Sequence, residues 1–359
     1  MADYYVTTSG SDSNTGLTEG LAFASLGKAC ATATTSGDRI YVKSGTYTLT
    51  STTNNANGGR FTIPLGVLVE GYQTTPGDLA AMPVVSAGSL TSFTMCTMSA
   101  SFNVRPPGIR NIELNGNSQT SVTGLGISGS FTFAVSKVIC RSCTTGFSGA
   151  QGHTCVIDSA AISCGTGFSN IYQAVGCLAR SCTSFGFSGI KNAAFCLANN
   201  NSNSGFYALN TIGTSYLNCV SHGNTNYGFD ISYDIGIMAN CIASSNSLHG
   251  YSIGTANNAG MMMYNNANWN NTSGTNRYTT TSEHGKIDLT ADPYTNAASN
   301  NFTLNNNSGG GALLRSTGFP GAVTGGNTGF LDVGAYQIAS GGGGAGLILA
   351  RAMNGGYSA

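Results

Sequence analysis

Only 14 residues of this chain are Asp or Glu, so the search for acid chemistry is short. Cleaving a glycosidic bond takes two carboxyl groups roughly 5 to 9.5 Å apart, one to protonate the leaving oxygen and one to act as base or nucleophile. Asp230 and Asp234 stand close in sequence with Tyr227 and Tyr233 beside them, while Asp158 and Glu113 lie earlier in the chain. These four acids are the candidate catalytic residues, and the competing assignment for each is a solvated turn or surface carboxylate. Lyase chemistry of the calcium-dependent kind asks for a nest of carboxylates with an Arg or Lys base, and the sequence shows no such cluster. His153, His222, His249 and His284 are scattered, and His222 and His249 precede their next aromatic landmark by seven and two residues. That mismatch reads as exposed turn residues, not a catalytic pair.

Aromatic side chains offer a second kind of chemistry. Phe185, Tyr207, Tyr227 and Tyr233 fall at outward-looking places in the repeat described below. Rings on a flat strand face stack on the apolar face of a sugar while Asn and Ser bond its rim. The same rings serve equally well against a sister chain, as in a side-by-side trimer. Cysteine chemistry is quieter. The odd count of 11, together with a start, Met1-Ala2-Asp3-Tyr4, that lacks the basic and apolar regions of a secretory leader, points to free thiols filling a core in a reducing cytoplasm. Cys140-Arg141-Ser142-Cys143 has no second such pair to complete a metal site, and strand alternation sends its two thiols to opposite faces. No metal and no cofactor is expected.

What positions these residues is a repeat. A glycine followed by an aromatic ring recurs at Phe147, Phe168, Phe187, Phe206, Phe229 and Tyr251, spaced 21, 19, 19, 23 and 22 residues apart. That period suits one coil of a β-solenoid. Aligned on the ring, Cys177, Cys196, Cys219 and Cys241 form one column and Cys182, Asn201, Asn224 and Asn246 another. Parallel strands stack equivalent residues roughly 4.8 Å apart, so each column becomes a ladder. Phe and Cys are predicted inside. The Asn column reads as a turn ladder in left-handed backbone, and the glycine before each ring as the residue that supplies an unusual backbone angle. One residue past the ring run Ser148, Ser169, Ser188, Tyr207, Asp230 and Ser252, an outward column in which Asp230 is the exception.

Composition agrees. With 51 Gly and 8% charged residues the chain is rich in turn formers and poor in helix-stabilising ion pairs, while 41% hydrophobic residues suffice for a long core. A solenoid core grows with coil number, which lets 359 residues form one elongated fold. Zero net charge without a basic run argues against nucleic acid, and no stretch has the apolar length of a membrane span.

The ends differ from the middle. Tyr4-Tyr5-Val6 reads as a first strand, Ser25 as the N-cap of a short helix carrying Leu26, Cys30 and Ala33 on one face, and Arg39 to Val42 as the next strand. A helix there covers the unpaired end of a solenoid. The run from Tyr4 through Gly10-Ser11-Asp12-Ser13-Asn14, Ala22 to Leu26 and Gly37 to Tyr47 resembles the N-terminal cap of right-handed parallel β-helix proteins of the pectate-lyase-like superfamily. Phe330-Leu331-Asp332-Val333-Gly334-Ala335-Tyr336 resembles the segment that often closes such helices, with Gln337 where an acid is usual. The resemblance implies an all-β, right-handed single-stranded parallel β-helix with a capping helix. It implies little about activity, because that fold carries lyases, hydrolases, epimerases, adhesins and viral spikes alike.

Three regions are therefore expected: a strand, capping helix and first coil over 1–59, the helix proper over 60–337, and a Gly-rich linker with a docking tail over 338–359. Residues 67–72 and 109–116 read as strands of early coils, and Met261 to Tyr264 as a buried strand. In the tail, Leu347, Ile348, Leu349, Arg351, Met353 and Tyr357 follow the linker Gly341 to Gly344 and read as an element that docks on another subunit. The function expected is a structural or glycan-binding protein of a bacteriophage particle, such as a tail spike, fibre or head-decoration protein, made in the host cytoplasm. Its expected partners are sister copies in a homotrimer, other virion proteins and a cell-surface polysaccharide. The alternatives are a polysaccharide hydrolase or lyase of tailspike type, and an extracellular adhesin.

Overall fold

The structure is a computed structural model that describes residues 1–100, 106–129, 134–150, 154–209, 213–232, 236–253, 261–273, 282–315, 317–318 and 332–335. The chain forms two compact units, Met1–Gln173 and Ala174–Ala359. Short parallel strands dominate both, and the coils wind as a right-handed parallel β-helix, as the repeat and the resemblance imply.

In the first unit the strand Asp3–Val6 pairs in parallel with Arg39–Lys43, which pairs with Leu68–Tyr72. The ladder continues through Gly108–Asn115 to Ala134–Arg141. A second ladder runs from Phe61–Ile63 through Phe93–Ala100, Val122–Gly129 and Thr145–Ser148 to Thr166–Ser169. The helix Leu26–Thr32 begins where expected, with the Lys28 N–H donating to Ser25 Oγ at 3.2 Å. Asp12 holds that cap in place, accepting from the Ala24 and Ser25 N–H groups at 2.9 Å each and from the Ser25 hydroxyl at 2.7 Å. Leu26, Ala29 and Cys30 face inward and are buried.

In the second unit each coil contributes three strands. Phe206–Leu209 lies on Phe229–Ser232 and then Tyr251–Ile253; Ser215–Leu217 on Ile237–Ala239 and Met262–Tyr264; Val220–His222 on Ile242–Ser244 and Ala267–Trp269. After the last coils the chain turns antiparallel, and Tyr294–Asn296 pairs with Asn301–Leu304. Met262 is 46% exposed, and Met263 is the buried member of its strand.

The ring column stacks as the spacing predicts. Phe147 lies on Phe168 in the first unit with centroids 4.5 Å apart. In the second, Phe187, Phe206, Phe229 and Tyr251 follow at 4.6, 4.8 and 5.2 Å, with ring planes nearly parallel and fully buried. The cysteine column stacks beside it, each thiol donating to a carbonyl of the preceding coil: Cys196 to Ala174 O at 3.4 Å, Cys219 to Ala193 O at 3.5 Å, Cys241 to Tyr216 O at 3.4 Å. Burial pushes the Cys196 and Cys219 thiols well above their ordinary range, which keeps them protonated.

Three local expectations need correction. The Asn column is a ladder between strands, with each amide bonded to the Asn of the next coil, but Asn201, Asn224 and Asn246 are not themselves left-handed and are at most 1% exposed. Left-handed backbone sits one residue earlier, at Asn200 (φ 54), Gly223 (φ 65) and Ser245 (φ 52), and swings the next side chain into the core. The same device overturns the alternation argument for Cys140 and Cys143. Ser142 adopts φ 50 between them, and both thiols are buried. Finally, the glycines before the rings are required for space. A Cβ on Gly228 would stand 2.5 Å from the Gly250 carbonyl oxygen and 2.9 Å from Asn246 Nδ2. Gly228→Ala is therefore expected to cost about 2 kcal/mol by overpacking, read as a lower urea midpoint, whereas Gly20→Ala, whose Cβ meets nothing within 4 Å, leaves the midpoint unchanged.

Candidate functional site

Strand alternation decides which residues of the second unit look outward. In Phe206–Leu209 and Phe229–Ser232 the rings at 206 and 229 are buried, so Tyr207 and Asp230 lie on the opposite face. Register places them side by side: Ser188 pairs with Tyr207, Tyr207 with Asp230, and Asp230 with Ser252. Phe185, just before the preceding strand, lies over Tyr207 with ring centroids 4.3 Å apart and planes 17° from parallel. Tyr227 stacks on His249 at 5.9 Å and 8°. Outward rings thus pair across neighbouring coils, and Asp230 stands beside Tyr207 in the column between Ser188 and Ser252.

Asp230 is half-buried, and desolvation pushes its carboxyl up to about 6, against a hydrogen bond with Ser204 that lowers it. Among the described residues it is therefore the one carboxyl of this face placed to hold or release a proton near neutrality. The described residues of the rim are uncharged. Asn226 Nδ2 donates to Asn203 Oδ1 at 2.6 Å, and Ser202 and Thr225 are exposed.

Other sequence candidates separate from this face. Glu113 is tied to Arg141 Nε at 3.1 Å in the first unit, a structural ion pair. Asp158, also in the first unit, occupies a left-handed corner at φ 47, where burial raises its carboxyl pKa and the nearby Lys137 lowers it. Its Oδ1 is buried without a hydrogen-bond partner. Tyr233 and Asp234 lie outside the described residues, as do His153, Gln337, the linker Gly341 to Gly344 and the tail residues Leu347, Ile348, Leu349, Arg351, Met353 and Tyr357.

The histidines depart from expectation. His222 is no exposed turn residue: it ends the strand Val220–His222, packs edge-on against Tyr294 at 5.6 Å and Phe302 at 5.1 Å, and its Nδ1 lies 3.0 Å from Ser244 Oγ. Burial drives its pKa down to about 4, opposed by the charge of Asp292. The hairpin over 294–304 is thus a strap across this side of the coils, pinned further by Asn199 Nδ2 donating to Asn300 Oδ1 at 2.8 Å. His249 belongs to the outward aromatic column. Its position before Gly250, shared with Tyr227 before Gly228, is the signal in the sequence that marks it.

No family model matches the sequence, and no curated protein matches it. Solved structures do. A rhamnogalacturonan lyase superposes with a TM-score of 0.52 at 15% identity, covering 82% of this chain and 91% of its own. The pectate lyase Pel9A superposes with a TM-score of 0.50 at 14% identity, covering 94% of this chain and 96% of its own. This chain has the pectate-lyase-like parallel β-helix fold. A protein of Geobacillus virus E2 is also similar, with a TM-score of 0.46 at 13% identity, covering 70% of this chain and 52% of its own. Among the described residues of the β-helix, no three His, Cys, Asp or Glu gather as metal ligands, and no helix is long and apolar enough to cross a membrane.

Proposed function

We propose that this β-helix binds carbohydrate through the outward face of its second unit, as part of a bacteriophage particle. One observation carries the reading: two aromatic pairs, Phe185 with Tyr207 and Tyr227 with His249, line neighbouring coils of a flat strand face beside Asp230. Flat rings stacked against the coil wall present apolar faces to a sugar without the entropy cost of freezing loose side chains. The virion setting draws support from the thiols. All of the cysteines but Cys155 are buried, a core suited to folding in a reducing cytoplasm, where particle proteins are made. A homotrimer and docking on other virion proteins through residues 347–357 complete the proposal.

Binding by stacking predicts that Tyr207→Ala weakens retention on an immobilised polysaccharide about 10-fold, the loss of roughly 1.4 kcal/mol, with an unchanged urea midpoint. Asp230→Asn, which keeps shape and removes charge, leaves retention within about 3-fold, or roughly 0.6 kcal/mol. Retention indifferent to Tyr207→Ala sinks the reading.

A hydrolytic reading has one observation in its favour. A carboxyl raised to about 6 is in the range of a general acid. Its partners in register are Tyr207 and Ser252, neither of which supplies the second carboxylate that glycoside hydrolysis requires. Release of oligosaccharides that Asp230→Asn abolishes would transfer the assignment to hydrolysis.

A further inference from the structure

We infer that the glycan taken by this face is electrically neutral, built of hexose or N-acetylhexosamine units without uronate, sialate, phosphate or sulfate groups; the inference rests on the glycan-binding reading above. Its ground is the charge of the coils that carry the rings. Between Lys191 and Arg277 the chain contains no Lys and no Arg. That stretch spans Tyr207, Tyr227, Asp230 and His249. An anionic sugar is held in proteins by guanidinium or ammonium groups, which give charge-assisted and often bidentate bonds; the coils from Tyr207 to His249 contain none, and the nearest in sequence, Arg180 and Lys191, flank Phe185 at one end of the face. A bridging divalent cation is no substitute, since no three potential ligands gather among the described residues.

What the face does offer matches neutral sugars. Tyr207 lies between Ser188 and Ser252 at outward ladder positions, with Asp230 in the same column. The amides of Asn203 and Asn226 are already turned toward each other along the rim. Hydroxyls and amides pair with sugar hydroxyl and acetamido groups, and the rings take the C–H faces. Asp230 would repel each passing carboxylate of a polyanion. Burial pushes its pKa up to about 6, so mild acid weakens that repulsion.

The test is biolayer interferometry with the full chain on surfaces carrying galactomannan, dextran or glycol chitin, and on surfaces carrying polygalacturonate, alginate or hyaluronate. The expected result is binding to at least one neutral surface, changing less than about 2-fold between about 50 and about 500 mM NaCl, where ionic contacts would be screened away. Tyr207→Ala lowers that binding about 10-fold. Binding confined to acidic surfaces and removed by Tyr207→Ala overturns neutrality while leaving the glycan reading in place. Binding to no surface overturns both. If mass photometry then shows that Tyr207→Ala changes the oligomeric state, the face is an interface between copies of this chain.

Discussion

Asn224→Ala is expected to lower the unfolding free energy by about 3–4 kcal/mol, several times the effect of Thr225→Ala one residue along. Asn224 Oδ1 accepts from the Asn201 N–H at 3.0 Å and from Asn201 Nδ2 at 2.9 Å. Its own Nδ2 reaches Asn246 Oδ1 at 2.9 Å and Ser221 Oγ at 3.0 Å. Asn246 repeats the pattern on Asn271, at 2.9 Å from the N–H and 2.8 Å from Nδ2. Each side chain thus closes the backbone of the coil before it, inside a core where no water can take over. Truncation orphans the buried Asn201 N–H, costing roughly 1–3 kcal/mol, and opens a cavity at the ring wall, which adds to it. Thr225 is exposed, and its truncation stays within about 0.5 kcal/mol. Urea unfolding of the two variants side by side checks the difference.

The second large effect is on pH dependence. His222, at about 4 in the folded state, is held below the ordinary 6.5 by burial. The unfolded chain therefore binds a proton at His222 between those values while the folded chain does not, so stability falls as pH drops from 6.5 toward 4 and levels off below. A shift of that size is worth about 3 kcal/mol. The groups around the imidazole explain why it stays neutral: the rings of Tyr294 and Phe302 exclude water and Ser244 Oγ lies 3.0 Å from Nδ1, and this burial outweighs the charge of Asp292, which favours the protonated form. Ser244 also meets the Tyr294 hydroxyl at 3.1 Å, so protonation strains the strap as well as the coil. His222→Gln is expected to flatten the difference in urea midpoint between pH 7 and pH 4.5. A variant that keeps the full wild-type slope contradicts the assignment.

The coil was legible in the sequence because a solenoid must return the chain to the same ladder each turn. Phe187, Phe206, Phe229 and Tyr251 announce that return by type, and the outward column holding Asp230 follows by counting one residue on. The cap was legible through Ser25 and the apolar spacing behind it. Which side a corner residue takes was not. Asn serves both as a left-handed corner, at Asn200, and as an interior rung, at Asn201, and only the backbone angle tells them apart. Gly228 was legible as a constraint but for the wrong physical reason, because the obstacle is the Gly250 carbonyl of the next coil, a contact across 22 residues. His222 escaped because its cover, the hairpin over 294–304, follows no repeat. Asp230 drew notice by breaking a hydroxyl column, whereas its raised pKa comes from burial that a column cannot display.

The central claim is that the stacked outward rings hold a neutral glycan. A glycan microarray probed with the wild-type chain and with a Phe185→Ala/Tyr207→Ala double variant tests it most directly. Wild type is expected to mark one or a few uncharged glycans, and the double variant, with an unchanged urea midpoint, to lose that signal. A wild type that marks acidic glycans alone, or a folded double variant that keeps the signal, contradicts it.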